Sequence, residues 1–281
     1  MPKVISKDGT PIAYDQTGNG PAVILVDGAL GYRAFGPSGA LASLLAPHFT
    51  VISYDRRGRG ESGNTLPYAL AREVEDINAL INQVGGSAFL FGTSSGGCLA
   101  LEAASALDGK VEKLAIWEAP SDSSPGAAAA WKEYRRQLEQ YLAAGQRGDA
   151  VALFMSFVGT PADMINGMRQ SPMWPLLEAV APTLPYDAAA MGDDRAVPVQ
   201  HAATVTAPTL VMNGTMLPFM QETGNALTKA IPHAQHRTLE GQSHDVDIKV
   251  LAPVLIEFFS DRQSRASARQ SAQPHPEGPR I

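Results

Sequence analysis

The chain has 281 residues, 44% hydrophobic and 18% charged, which suits a soluble protein with a sizeable core, built as one large domain or as a domain with an insertion. Its net charge of −6 argues against a nucleic-acid or anionic-membrane partner. No apolar run approaches the roughly 18–20 residues that span a bilayer, "MPKVISKDG" has no signal-peptide pattern, and a single cysteine, Cys98, excludes an intrachain disulfide, so the expected location is cytoplasmic.

"KVIS" and "PIAYDQTG" flank the turn signal "KDGT" and predict an opening hairpin. "AVILVDG" reads as a buried strand, a helix follows around Pro37 to Pro47, and "FTVISYD" is the next strand, ending in the Gly-rich turn "RRGRGESG". "LAREVEDINALINQVGG" has helical spacing and a terminal Gly pair. "SAFLFG" and "KLAIWEAP" are further strands, separated by a helix from about Ser95 to Leu107. Strands alternating with helices predict a mostly parallel sheet with crossover helices.

After Pro120 the rhythm breaks, and helical or irregular sequence runs to about Gln200. The alternation resumes with the strand "APTLVMNG", a helix from about Met220 to Ile231, the strand "QHRTLEG" and a last helix through "VLAPVLIEFF". The expected organisation is a core of residues 1–120 and 201–262, a helical cap of residues 121–200, and a disordered tail of residues 263–281, rich in Arg, Ser, Gln and Pro.

Chemistry concentrates in "FLFGTSSGGCLAL". Gly92-Thr93-Ser94-Ser95-Gly96 fits G-x-S-x-G between a strand and a helix, the context of a nucleophile elbow. The crowded turn tolerates only small residues at −2 and +2. Ser94 as nucleophile has Gly92 and Gly96 there, whereas Ser95 would have Thr93 and Gly97, so Ser94 is the better candidate. "VDGALGYR" follows the first parallel strand and offers the Ala29 N–H as one oxyanion donor, with the Ser95 N–H as the other. On this reading Ser95 contributes its backbone and its side chain matters little. "YDRRGRGES" reads as a structural turn without a chemical role.

The joint pattern "VDGALG", "DRRGRGES", "GTSSGG", "PTLVMNG" and "EGQSHD", in this order, resembles the α/β-hydrolase superfamily from about Val4 to Phe259, apart from the insertion. The resemblance implies an α/β-hydrolase fold: an eight-stranded, mostly parallel sheet flanked by helices, with the insertion as a helical cap. The family usually carries His before Gly28, where this chain has Asp27. His244, after the last strand and before the last helix, stands where the family keeps its catalytic base, and the order Ser then His agrees.

The acid has no carboxylate at its usual place, the loop "TMLPFMQE", before Glu222. Glu118 in "AIWEAP", at the end of the strand after the nucleophile helix, occupies the superfamily's other placement, with Asp122, Asp245 and Asp247 as rivals. Ser94, Glu118 and His244 would then form the relay, in an arrangement similar to that of zearalenone-type lactone hydrolases. The expected activity is a carboxylic ester hydrolase of esterase or lactonase type working through an acyl-enzyme on Ser94. A non-hydrolytic ligand-binding protein or lyase of the same fold is the alternative. Tyr32, Trp131, Phe154, Met155, Trp174, Met216 and Phe219 are the expected pocket residues, in a Met-rich cap suited to a small apolar ester or lactone. "HAQH" at 233–236 lacks clustered acids or cysteines, and no phosphate loop occurs, so neither metal nor cofactor is expected. The oligomeric state is not legible.

Overall fold

The apolar runs read as strands pair into one eight-stranded sheet in a computed structural model that describes residues 2–261. The 263–281 segment lies outside the described residues. In chain order come β1 (Lys3–Ile5), β2 (Pro11–Thr17), β3 (Ala22–Val26), α1 (Ser38–Leu45), β4 (Thr50–Tyr54), α2 (Leu70–Gln83), β5 (Ala88–Thr93), α3 (Ser95–Ala106) and β6 (Val111–Trp117). The insertion follows as α4 (Ala127–Ala143), α5 (Arg147–Phe157), α6 (Ala162–Arg169), α7 (Trp174–Val180), a 3-10 turn, α8 (Leu184–Ala190) and α9 (Val199–Ala202). Then come β7 (Thr209–Gly214), α10 (Pro218–Ala230), β8 (Ala234–Leu239) and α11 (Ile248–Ser260).

The strand order is β1-β2-β4-β3-β5-β6-β7-β8. β2 runs antiparallel to β1 and to β4, and β3 to β8 are parallel. Register places Val26 beside Gly92, and Thr93 beside Trp117. The loops that leave β3, β5 and β6 therefore open along one edge, where side chains from distant parts of the chain converge.

Alternation along the strands divides the core. Ile24, Val26, Leu90 and Ile116 face one way and pack with Ile77 of α2 and Leu99 of α3. Val23, Leu25, Phe89, Phe91 and Trp117 face the other way and pack with Leu45 of α1 and Phe259 of α11. α2 buries Val74, Ile77, Leu80 and Ile81 at helical spacing; each such side chain withdrawn from water contributes about 1.5–3 kcal/mol. The insertion has its own apolar cluster, in which α4 buries Trp131, Tyr134 and Leu138 on one face. α9 spans the expected 200/201 boundary and packs on α3 and α10. Among the described residues no helix is long and apolar enough to cross a membrane.

Candidate active site

β5 hands over to α3 at Ser94, whose φ of 53° and ψ of −130° are unusual for a non-glycine residue. Such a conformation costs about 1–3 kcal/mol and persists only where its surroundings hold it. Here the Ser94 N–H donates to the Trp117 carbonyl at 2.9 Å, and the Ser94 carbonyl accepts the Gly97 N–H at 2.8 Å. The flanking glycines are sterically required. A Cβ on Gly92 would overlap the backbone of Gly96 and Gly97, and one on Gly96 would overlap the carbonyl oxygens of Val26 and Asp27. Ser95 is buried, and its Oγ donates to Asp187 of α8 at 2.8 Å. Its side chain thus ties the elbow to the insertion, an anchoring contact that the sequence alone does not show.

Glu118 directly follows β6, with a φ of 44° and a fully buried side chain. Its two oxygens have separate partners: Oε2 lies 2.8 Å from Nδ1 of His244, and Oε1 accepts the Gly214 N–H at 2.9 Å. The His244 loop is held from below, where the Trp117 indole N–H donates to the His244 carbonyl at 2.9 Å. The rival carboxylates are otherwise placed. Asp122 pairs with Arg195 at 3.3 Å, Asp247 accepts the Lys249 N–H as the cap of α11, and Glu222 and Asp245 are exposed.

The Gly28–Ala29 peptide is aimed by an arginine that the sequence reading passed over. Arg59, in the turn read as purely structural, donates to the Gly28 carbonyl at 2.6 Å and to the Gly31 carbonyl at 3.0 Å. In a trans peptide the N–H points opposite to the carbonyl, so the Ala29 N–H points away from Arg59. Ser95 opens α3, and its N–H is among the helix N–H groups without an intrahelical partner.

A buried charge network lies behind this loop. Asp187 pairs with Arg56 at 2.6 Å and with Arg59 at 2.7 Å, and Arg56 also forms a two-pronged pair with Glu73 at 2.7 and 2.8 Å. Burial alone would raise the Asp187 pKa, but Arg59 and Arg56 hold it below its ordinary value. Asp187 joins the insertion to the sheet, a role without a local signal in the sequence. Asp27 accepts a short hydrogen bond from Ser38, and burial pushes its carboxyl up to about 6.

Ser94, His244, Ala29 and Ser95 all border a cavity of about 1020 Å³. Of the expected pocket residues, Trp131, Phe154 and Phe219 line it. Four do not. Met155 sits about 100° around α5 from Phe154 and is buried in the insertion core. Trp174 is also buried there, with its indole N–H donated to Glu178 at 3.0 Å. Met216 is 63% exposed on its loop. Tyr32 pairs through its backbone with Phe35, which takes the place on the wall instead. Arg195, which the sequence reading did not single out, borders the cavity. Cys98 is buried behind the elbow, and burial pushes its thiol up to about 12, so it carries little thiolate at neutral pH. The described residues hold no group of three His, Cys, Asp or Glu placed to share a metal ion.

A family model described as "Alpha/beta hydrolase family" matches residues 18–251. A solved alpha/beta hydrolase from Sphaerobacter thermophilus is 48% identical, with a TM-score of 0.81, and the match covers 92% of this chain and 100% of that one. The human serine hydrolase BPHL is 34% identical over 123 residues, 41% of this chain and 42% of its own. The proline iminopeptidase PfmaB of Pestalotiopsis fici is 30% identical over 112 residues, 36% of this chain and 37% of its own. The chain thus aligns with about two fifths of the length of these curated relatives.

Proposed function

Because the chain belongs to the alpha/beta hydrolase family, we propose that it is a serine hydrolase that cleaves a carboxylic ester or lactone through an acyl-enzyme on Ser94. One observation carries the reading. The strained Ser94 borders a cavity together with His244, whose Nδ1 lies 2.8 Å from a fully buried Glu118 carboxylate. A buried carboxylate without a cationic or hydrogen-bonding partner is costly; an imidazole that becomes positively charged during the reaction is such a partner.

The steps follow from the donors in place. His244 donates its Nδ1 proton to Glu118, which leaves Nε2 free to accept the proton of Ser94 as Oγ attacks the carbonyl. The oxyanion forms between the Ala29 and Ser95 N–H groups, each worth about 2.7–4 kcal/mol in the transition state. Arg59 aims the first by holding the Gly28 carbonyl, and the start of α3 supplies the second. Collapse of the intermediate breaks the ester C–O bond, and His244 passes its proton to the leaving alkoxide. Water, deprotonated by His244, then attacks the acyl-enzyme, and the acid departs as Ser94 regains its proton. The helical insertion serves as a cap, since Trp131 and Phe154 form part of the cavity wall.

Turnover of p-nitrophenyl butyrate, together with stoichiometric labelling of Ser94 by a fluorophosphonate, tests the proposal. Labelling at Ser94 without turnover of any ester or lactone would instead indicate a non-hydrolytic member of the family.

A further inference from the structure

Among the described residues, Arg195 is the only arginine or lysine that lines the cavity. It differs from the three arginines of the turn after β4. Arg56, Arg57 and Arg59 lie on carboxylates at 2.6–2.9 Å, each with further acceptors. Arg195 has one long contact, Nη2 to Asp122 Oδ2 at 3.3 Å, and its buried Nε has no hydrogen-bond partner. Its side chain is 14% exposed, and its guanidinium lies 5.1 Å from the ring centroid of Phe157 and 5.9 Å from that of Trp131. Both rings belong to the cavity wall.

A guanidinium offers five donors in a planar fork that matches a carboxylate. Ring faces attract the charge but accept few of those hydrogen bonds. Leaving a buried donor unpaired costs about 1–3 kcal/mol. The backbone there is also in the left-handed region: Arg195 has a φ of 58°, and its carbonyl accepts the Asp122 N–H at 2.8 Å. Strain and unpaired donors at a cavity wall are expected where a ligand completes the set. The cavity's other acids stand elsewhere: Asp27 is in the loop after β3, committed to Ser38, and Asp245 is exposed beside His244. Asp122 is itself engaged by the Ser124 N–H at 2.9 Å.

We propose that Arg195 binds a carboxylate carried by the substrate, so that the ester or lactone cleaved at Ser94 is an apolar molecule with one free acid group. The inference rests on the hydrolase reading above and narrows its substrate class. Trp131 and Phe157 flank the acid-bearing end, and the scissile carbonyl lies at Ser94. Arg195 is a specificity residue: it contacts the substrate away from the reacting atoms.

The test compares p-nitrophenyl hydrogen glutarate with its neutral methyl ester, which has the same chain and leaving group. The readout is the ratio of kcat/KM for the anion to kcat/KM for the neutral ester. A charge-assisted hydrogen-bond pair is lost in Arg195→Met, so the ratio should fall about tenfold to hundredfold, mainly through KM for the anion. Arg195→Lys should recover part of it, and Asp122→Asn, which frees the guanidinium from its only carboxylate, should raise it severalfold. A ratio that stays within twofold in Arg195→Met, with both substrates slowed alike, makes Arg195 a structural pin and overturns the inference. If Arg195→Met does not fold by circular dichroism, the lysine and Asp122→Asn variants decide, and no change of ratio in either overturns it. Failure of the wild-type protein to hydrolyse either ester or to be labelled at Ser94 would refute the hydrolase reading instead.

Discussion

Glu118→Gln exchanges one oxygen for an NH2 group at nearly constant shape and leaves the backbone at φ 44° with the same demands. The wild-type carboxylate accepts at both ends, near His244 Nδ1 at 2.8 Å and from the Gly214 N–H at 2.9 Å. A glutamine satisfies only one end properly. With its carbonyl towards Gly214, the NH2 donates to Nδ1, the ring proton moves to Nε2, and His244 can no longer accept the Ser94 proton. With its carbonyl towards Nδ1, the tautomer is right but two donors face each other where the side chain has no access to water. That clash costs about 1–3 kcal/mol, so only about one molecule in six to one in a hundred and sixty keeps the competent tautomer. A neutral amide also fails to offset the imidazolium charge. The combined loss in kcat should fall between about 10² and 10⁴, the upper figure being that of the equivalent change in a serine-protease triad, with little change in KM. Steady-state hydrolysis of p-nitrophenyl butyrate, with circular dichroism as the folding control, measures it. Activity within tenfold of wild type, alongside a collapse in Asp122→Asn, Glu222→Gln or Asp245→Asn, would refute the assignment of the acid.

Ser94→Ala should abolish both turnover and fluorophosphonate labelling, whereas Ser95→Ala should keep at least about a tenth of the rate, because alanine retains the backbone donor; near-normal turnover by Ser94→Ala would contradict the elbow. Asp187→Ala leaves two buried arginines short of a counter-charge, which should cost about 3–5 kcal/mol and lower Tm by about 10 °C in a thermal melt; a loss below 2 °C would show the network to be dispensable. Asp27 titrates at about 6 in the folded chain against 3.8 for the ordinary group, because burial penalises its charged form. Its contribution is therefore fully present below pH 3.8 and is lost as pH rises through 6. Asp27→Asn should gain stability relative to wild type across that window, by up to about 3 kcal/mol at neutral pH; melts at pH 4, 5, 6 and 7 that show a constant difference would contradict it.

Local patterns were legible because local sterics enforce them. The short, β-branched apolar run of β3 suits a strand buried on both faces, and Gly92 and Gly96 mark the elbow because no side chain fits there. Glu118 was reachable through the strand end it occupies and the lack of a carboxylate between Asn213 and Phe219. Side-chain direction was less legible: Phe154 and Met155 are both apolar neighbours on α5, and only the packing of the insertion decides which faces the cavity. Met216 is apolar yet faces solvent, since its loop already seats Leu217 and Phe219 on the wall. By itself the sequence marked the strands and the elbow, since each depends on residues close in the chain, and its resemblance to a known family pointed to Glu118 and His244 as candidates. Only the tertiary structure decided that Asp187 meets Ser95 across 92 positions, that Arg59 turns the Gly28 peptide, and that Arg195 is left with open donors at the cavity. The physical reason is that a charge taken out of water must find its partner in space, and charged residues scattered along a chain do not show which of them will be buried together.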